Sequence, residues 1–121
     1  MALKIRKNRA VAPPPTCAVG TCMRVIGKAW TPNLIWYLSG GPRRFGELRR
    51  DMPLISAKML SERLRDLEAR GVVSRRVVAS SPPSAEYQLT DLGEELMPAI
   101  EAIVAVGLKL KERLGEAADA A

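Results

Sequence analysis

"ISAKMLSERLRDLEARG", residues 55–71, has the spacing of a helix with one apolar stripe. Ser56 is a favourable N-terminal cap for this helix, and Gly71 is a typical residue just after a last turn. Three leucines recur at intervals of four and three residues, which predicts that one side of the helix is buried: Leu60, Leu64 and Leu67.

The opposite side of this predicted helix is polar. A rotation of 100° per residue turns Lys58, Glu62 and Arg65 away from the leucines and leaves Ser61 at the border. These side chains could form an ordinary solvated face, or they could contact a partner. Which interpretation holds depends on the segments that precede and follow this helix.

The segment after Gly71 predicts a β-hairpin. In VVSRRVV, residues 72–78, Val73, Arg75 and Val77 alternate with Ser74 and Arg76, which is strand spacing. EYQLT, residues 86–90, predicts a second strand. ASSPPSA between them has the composition of a turn-forming loop. We therefore expect a hairpin over residues 73–89 with a long tip.

Three helices are predicted before residue 55. The first runs from about Cys17 to Ile26, and the second follows Thr31 as its cap and ends before Gly40-Gly41. RRFGELRRDMP, residues 43–53, predicts a short extended piece and then a short helix from about Gly46 to Asp51. We interpret the aromatic residues of this region as core rather than as a ligand pocket: Trp30, Trp36 and Tyr37.

The last predicted helix follows Thr90 as its cap, and Pro98 is expected to bend it. Its apolar residues form two adjacent stripes, which is more apolar surface than one small domain needs to cover. Leu92 and Leu96 are expected to pack within the protomer. The remaining stripe residues and the first helix are expected to form a dimer interface, with these members: Val19, Met23, Ile100, Ile103, Val104 and Leu108.

This order of elements predicts a mainly α-helical chain with a small β-hairpin, a winged helix-turn-helix fold. We expect a flexible basic arm over residues 1–16, one domain over 17–113 and a disordered tail over 114–121. Within the domain, residues 17–27 and 91–113 would form the dimer interface.

Composition limits the possible functions of these 121 residues. The chain has no His, which removes the commonest general base, and its two Cys residues cannot complete a four-ligand zinc site alone. We therefore expect neither an enzyme nor a metal or other cofactor. No apolar run approaches the ~20 residues of a membrane span, and we expect a cytoplasmic protein with no membrane partner.

The net charge of +6 is unevenly distributed. Residues 43–76 carry ten Lys or Arg against five acidic residues, whereas residues 77–121 carry three against eight. A basic segment of this kind suggests a polyanion as its partner. In a helix-turn-helix, that partner is double-stranded DNA, and the N-terminal residues of the second helix reach base edges in the major groove.

Two sets of DNA-contacting residues follow from this placement. The recognition set, on the second helix of the motif, has hydroxyl or charged side chains beside one small residue: Ser56, Ala57, Lys58, Ser61, Glu62 and Arg65. The phosphate set lies on the supporting helix and the hairpin: Arg43, Arg44, Arg49, Arg50, Arg75 and Arg76. Glu62 either reads cytosine or is simply solvated.

Residues 17–108 resemble the HxlR-type winged helix-turn-helix regulators, a bacterial branch near the MarR group. Four motifs carry the resemblance, with dots for variable positions: IGKAW.P.LIW.L, GPRRFGELRR, IS.KML...LR.LE..G and YQLT.LG. The resemblance implies a homodimer that binds an inverted-repeat operator and acts as repressor or activator. Departures from the family pattern, at residues 17–20 and 27–30, lie near the first helix and outside the DNA-facing elements.

Some members of that family sense oxidants through a cysteine at the position of Cys17. A helix N-terminus and nearby cations would favour its thiolate, although a small half-buried apolar role is an equal alternative. Two other functions compete with DNA binding. One is a winged-helix protein-interaction module, and the other is a thiol-based redox enzyme, against which the lack of an obvious base counts. A small-molecule effector cannot be named.

Overall fold

The computed structural model describes residues 10–12 and 18–115, so Cys17, most of the predicted arm and most of the predicted tail lie outside it. Within the described residues, nine elements follow one another: α1 (Ala18–Ile26), α2 (Thr31–Leu38), β1 (Arg43–Arg44), α3 (Phe45–Asp51), α4 (Ala57–Ala69), β2 (Val73–Val78), β3 (Ser84–Leu89), α5 (Asp91–Glu95) and α6 (Met97–Leu114). The mainly helical winged helix-turn-helix fold is confirmed. None of the helices in these described ranges is long and apolar enough to cross a membrane.

The leucine stripe of α4 is the centre of the core, as predicted. Leu60, Leu64 and Leu67 are each at most 1% exposed. Apolar side chains from the other helices and from the start of β2 complete the cluster: Ile26, Leu34, Ile35, Leu38, Leu48, Met52, Ile55, Val72, Val73 and Ile100. Since one whole side of α4 is buried here, its other side has to face outward.

The predicted hairpin is confirmed and belongs to a three-stranded antiparallel sheet. Strand β3 is central, with β2 on one side and the two-residue strand β1 on the other. Tyr87 of β3 is in register with Arg75 of β2 and with Arg43 of β1. The sequence did not predict β1 as a pairing partner, because two residues are too short to show an alternating pattern.

The start of α2 differs from the prediction. Thr31 was expected to cap α2, but the cap position is Trp30, which has a left-handed backbone with φ 73° and gives no side-chain cap. Thr31 is instead fully buried. A left-handed non-glycine residue costs roughly 1–3 kcal/mol.

Two contacts with α4 hold this turn in place. Arg63 Nε donates to the Ala29 carbonyl oxygen at 2.8 Å, and Lys28 Nζ lies 3.2 Å from Asp66 Oδ1. The turn that joins α1 to α2 is thus fixed to the same helix that carries the recognition set.

The predicted last helix is divided into α5 and α6 at Leu96, so Pro98 marks a break rather than a bend. Proline has no N–H to donate to the carbonyl of Glu94, which weakens the helix at this point. Thr90 caps α5 as predicted, since its Oγ1 accepts from the Gly93 N–H at 3.2 Å. Leu96 is half-buried as expected, but Leu92 is 46% exposed, so the prediction that it packs within the protomer was wrong.

Several apolar side chains remain exposed on α1, α2 and α6. Trp36 and Tyr37 are about 40% exposed, which contradicts their assignment to the core, whereas Trp30 is half-buried against it. The larger apolar surface lies on α6, whose exposed members are these: Ile103, Val106, Leu108, Leu110 and Leu114.

Candidate nucleic-acid interface

Helices α3 and α4 form the helix-turn-helix unit, and side chains that accept from backbone N–H groups fix both helix starts. The Glu47 carboxylate accepts from the backbone N–H of Arg44 at 2.9 Å. Ser56 Oγ accepts from the backbone N–H of Met59 at 3.0 Å, as the sequence predicted. Met52 and Ile55 are buried in the connecting turn and attach it to the core.

The recognition set lies along α4 and at its N-terminal cap. Five of its members are exposed, and Ser61 is half-buried at the border with the stripe: Ser56, Ala57, Lys58, Glu62 and Arg65. The set combines hydroxyls that can bond a base or a phosphate with cations that can reach guanine acceptors. Five of the six side chains are thus accessible from outside, whereas every contact with DNA remains a prediction.

Many cations of the described chain are already bonded within the protein. The side chains of five Lys or Arg residues reach a carboxylate or a carbonyl at 2.6–3.3 Å: Lys28, Arg43, Arg63, Arg70 and Arg76. Four of them pair with a carboxylate, which partly neutralises their charge and makes them weaker attractors for an outside anion, whereas Arg63 bonds to a neutral carbonyl.

A second group of cations has no such partner among the described residues. Seven exposed side chains make no hydrogen bond or ion pair there: Arg49, Arg50, Lys58, Arg65, Arg75, Lys109 and Arg113. Lys109 and Arg113 lie on α6, and the other five of the seven lie on α3, α4 and β2, the elements of the helix-turn-helix and the wing. Unneutralised charge on these elements is what attraction of a polyanion requires.

Arg43 belongs to the protein's own scaffold. Its Nη2 and Nε lie 2.8 Å and 3.0 Å from the two carboxylate oxygens of Asp51, and its Nη1 lies 3.3 Å from Glu47. The hydrogen bond to Asp51 raises the pKa of the Arg43 guanidinium above its usual value. This two-pronged bond ties β1 to α3, and it removes Arg43 from our set of phosphate contacts.

Arg76 and Arg44, two other members of the predicted phosphate set, differ in whether a carboxylate pairs with them. Arg76 lies 2.6 Å from Glu86 across the hairpin, so we also remove it from the phosphate set. Arg44 has an exposed side chain next to α3 and stays in the set. The sequence could not separate these arginines, because their carboxylate partners lie eight and ten residues away.

A polar cleft of about 350 Å³ separates α4 from the sheet. Its lining combines two members of the recognition set with a carboxylate and two residues of the hairpin: Ser61, Arg65, Glu68, Arg75 and Tyr87. Sequence reasoning missed Tyr87, whose only signal was strand alternation in EYQLT. Its position opposite Arg75 depends on the register of the hairpin.

The candidate dimer surface is narrower than the sequence predicted. Ile100 is 1% exposed and packs in the protomer core, so its assignment to the interface was wrong. Val104 is half-buried, whereas Val19, Met23, Ile103 and Leu108 are exposed. Leu108 lies about 160° around α6 from Val106. It therefore does not share a stripe with the other exposed apolar residues of this helix, which are Ile103, Val106, Leu110 and Leu114.

Comparison with known proteins gives one consistent result. Residues 25–114 match the model of the HxlR-like helix-turn-helix family. The HTH-type transcriptional regulator YkvN of Bacillus subtilis is 42% identical over 86 residues, which cover 71% of this chain and 73% of YkvN. YdeP of the same organism, also an HTH-type transcriptional regulator, is 40% identical over 98 residues, 81% of this chain and 77% of YdeP.

Solved structures of regulators have the same fold. The redox regulator HypR in its reduced form superimposes with a TM-score of 0.75 at 36% identity, covering 83% of this chain and 99% of HypR. The reduced form of the transcriptional regulator YodB from B. subtilis gives a TM-score of 0.65 at 32% identity, covering 85% of this chain and 95% of YodB. YodB has also been solved after diamide treatment.

Proposed function

Because this chain belongs to the HxlR-like helix-turn-helix family and is a transcriptional regulator rather than an enzyme, we propose that it acts as a homodimer on an inverted-repeat operator. In this proposal α4 enters the major groove, and the β2–β3 hairpin lies along the flanking backbone as a wing. We place its action in the cytoplasm, where the DNA target lies.

The distribution of unpaired cations is the observation that carries this proposal. Lys58 follows the capped start of α4, beside Ser56 and Ala57, where a helix in the major groove reaches base edges. Arg44, Arg49 and Arg50 lie on or next to the supporting helix α3, where a phosphate contact would fix the register of α4 on the duplex. Binding would release counterions from the neutralised phosphates, and the bound dimer would block or recruit polymerase.

The exposed apolar surfaces of α1 and α6 support the homodimer. Ile103, Val106 and Leu110 recur at intervals of three and four residues and are 45–52% exposed, which is unusual for adjacent large apolar side chains on a monomer. A twofold dimer built through this stripe, with Val19 and Met23 of α1 beside it, would carry two α4 helices about 34 Å apart. That spacing matches one turn of DNA and an inverted repeat.

Replacement of Lys58 by alanine is expected to weaken binding to the operator roughly 10- to 100-fold, the range for one base-edge contact. Binding to random duplex should change much less, because this side chain is proposed to select bases. A gel shift with the intergenic DNA beside the protein's own gene measures both affinities.

Lys109→Ala is the matched control for Lys58→Ala, since Lys109 is an exposed lysine of α6 that is far along the chain from α4. Equal losses in the two variants would contradict a base-reading role for Lys58. A stable dimer that retards neither DNA would instead favour the protein-interaction module.

We also propose that Cys17 makes the regulator responsive to oxidants. Cys17 itself lies outside the described residues, and support comes from HypR, a redox regulator, and from the diamide-treated structure of YodB. Diamide would take two hydrogens from a pair of thiols, one Cys17 from each protomer, and leave a disulfide.

Treatment with diamide is expected to give a covalent dimer on a non-reducing gel and to change operator binding at least several-fold. Cys17→Ser should abolish both effects, and a reductant should reverse them in the wild type. Cys22→Ser is the control, because Cys22 is a free, half-buried cysteine on the same segment. A Cys17→Ser protein that responds to diamide like the wild type would exclude the sensor role.

A further inference from the structure

We propose that the cleft between α4 and the sheet is a binding site for one phosphate of the operator backbone. Arg65 and Arg75 would supply the charge, and the hydroxyls of Ser61 and Tyr87 would supply further hydrogen bonds. This inference rests on the proposed function and extends the DNA-binding surface to Tyr87 and Glu68.

The register of the sheet brings the wing residues of the cleft together. Arg75 and Tyr87 are directly opposite each other on β2 and β3, so their Cβ atoms are roughly 5 Å apart on the same face. Tyr87 is half-buried against the core, which limits the movement of its ring and of the phenol hydroxyl. Arg43 follows in the same row on β1, but its guanidinium is bonded to Asp51.

The charges of the cleft suit an anion. Arg65 and Arg75 face the cleft from its two walls, and neither has a hydrogen bond or ion pair within the described ranges 10–12 and 18–115. A guanidinium can donate two parallel hydrogen bonds to a phosphate, and a neutral hydroxyl can donate one more. With Glu68 as the single carboxylate of the lining, the net charge is +1.

The position of Arg65 favours phosphate over a base edge. It lies nine residues after the Ser56 cap, which is about 13 Å along the axis of α4. Base edges are reached by the N-terminal residues of a recognition helix, whereas its later turns run toward the backbone. Arg65 is therefore expected to raise the affinity for DNA of any sequence, and Lys58 at the helix start is expected to select among sequences.

Removing the charge of Glu68 should strengthen DNA binding, whereas removing the other groups of the cleft should weaken it. Its carboxylate lines the cleft beside Arg65 and has no side-chain partner among the residues described. A phosphate in the cleft would be repelled by this carboxylate. Glu68→Gln keeps the size of the side chain and removes the charge, so the variant should bind DNA a few-fold more tightly.

The experiment measures the affinity of the intact dimer for operator and for random duplex over a series of salt concentrations. Arg75→Ala should weaken binding to both duplexes by the same factor and reduce the slope of log affinity against log salt by about 0.9, the value for one phosphate. Tyr87→Phe should lower the affinity for both duplexes roughly 10-fold with little change in the salt slope, because the hydroxyl that it removes is uncharged.

Arg70→Ala is the matched control, since Arg70 is an arginine of the same region whose guanidinium is bonded to Asp66. An equal change of slope in Arg70→Ala and Arg75→Ala would overturn the proposal, as would weaker binding in Glu68→Gln. Thermal unfolding identifies any variant that fails to fold, and Tyr87→Phe retains the packing of the ring. Failure of the wild type to retard any DNA would count against the proposed function instead.

A free phosphate ion has the same chemistry as the backbone group, and a further arm separates the two sources. Inorganic phosphate is added to the operator complex at constant ionic strength, with chloride as the reference anion. If phosphate and chloride affect operator binding equally, the result supports a DNA phosphate as the ligand. Saturable competition by phosphate that Arg75→Ala abolishes would overturn the assignment to DNA and would indicate a small-anion site.

Discussion

Replacement of Val106 and Leu110 by glutamate is expected to convert the dimer into a monomer and to weaken operator binding by about 10²- to 10⁴-fold. This range is the gain that two linked binding modules have over one. Both side chains are about half exposed on α6 and lie on one stripe with Ile103. Buried carboxylates without partners would make a twofold apolar interface unstable.

The control has to change the charge of the same helix by the same amount. Ala105→Glu combined with Lys109→Gln also adds two units of negative charge to α6, but both positions are exposed and lie off the apolar stripe. This control protein should remain a dimer with nearly unchanged affinity. Light scattering after size-exclusion chromatography gives the mass, and a gel shift gives the affinity.

Two outcomes of this comparison would contradict the proposed dimer. In one, the Val106→Glu, Leu110→Glu protein keeps the mass of a dimer. In the other, it becomes a monomer but binds the operator as tightly as the wild type does. The second result would mean that one α4 helix and one wing are sufficient for recognition, and the inverted repeat would lose its basis.

Helix and strand periodicity explains why the fold could be predicted. Leu60, Leu64 and Leu67 have the 3.6-residue period of a buried helical stripe, and local caps at Ser56 and Thr90 act within a few residues of chain. Both the stripe and the caps depend only on residues that are close together in the sequence. The order of elements then restricts the possible folds strongly enough to indicate a wing after α4.

The incorrect or incomplete predictions concern contacts between distant segments. Ile100 and Ile103 look alike in the sequence, and only the packing of α6 against α2 decides that Ile100 is buried and Ile103 is exposed. Likewise, Arg43 and Arg49 differ only in whether a carboxylate reaches them. Tyr87 acquires its place in the cleft from the register of β3 with β2, which no local pattern determines.

Gly93→Ala is expected to cost about 3 kcal/mol of stability, at the upper end for overpacking a core. Gly93 is buried in α5, and a Cβ atom there would collide with the carbonyl oxygen of Val72 and lie 3.0 Å from Cδ2 of Leu89. The Val72 carbonyl cannot move freely, because it accepts from the Thr90 N–H at 3.0 Å and from the Thr90 hydroxyl at 3.1 Å. The motif YQLT.LG therefore ends in a glycine for lack of space, and not because of backbone conformation.

The consequence of Gly93→Ala is measurable as a fall in melting temperature of roughly 10 °C or more at a fixed protein concentration. Gly46→Ala is the matched control, since Gly46 is also helical and a Cβ atom there meets nothing within 4 Å. Alanine at that position should be neutral or stabilising by up to ~1 kcal/mol, because glycine is the poorer helix former. If both variants melt near the wild type, α5 can shift away from the sheet, and the junction between wing and α5 is looser than the contacts at Val72 imply.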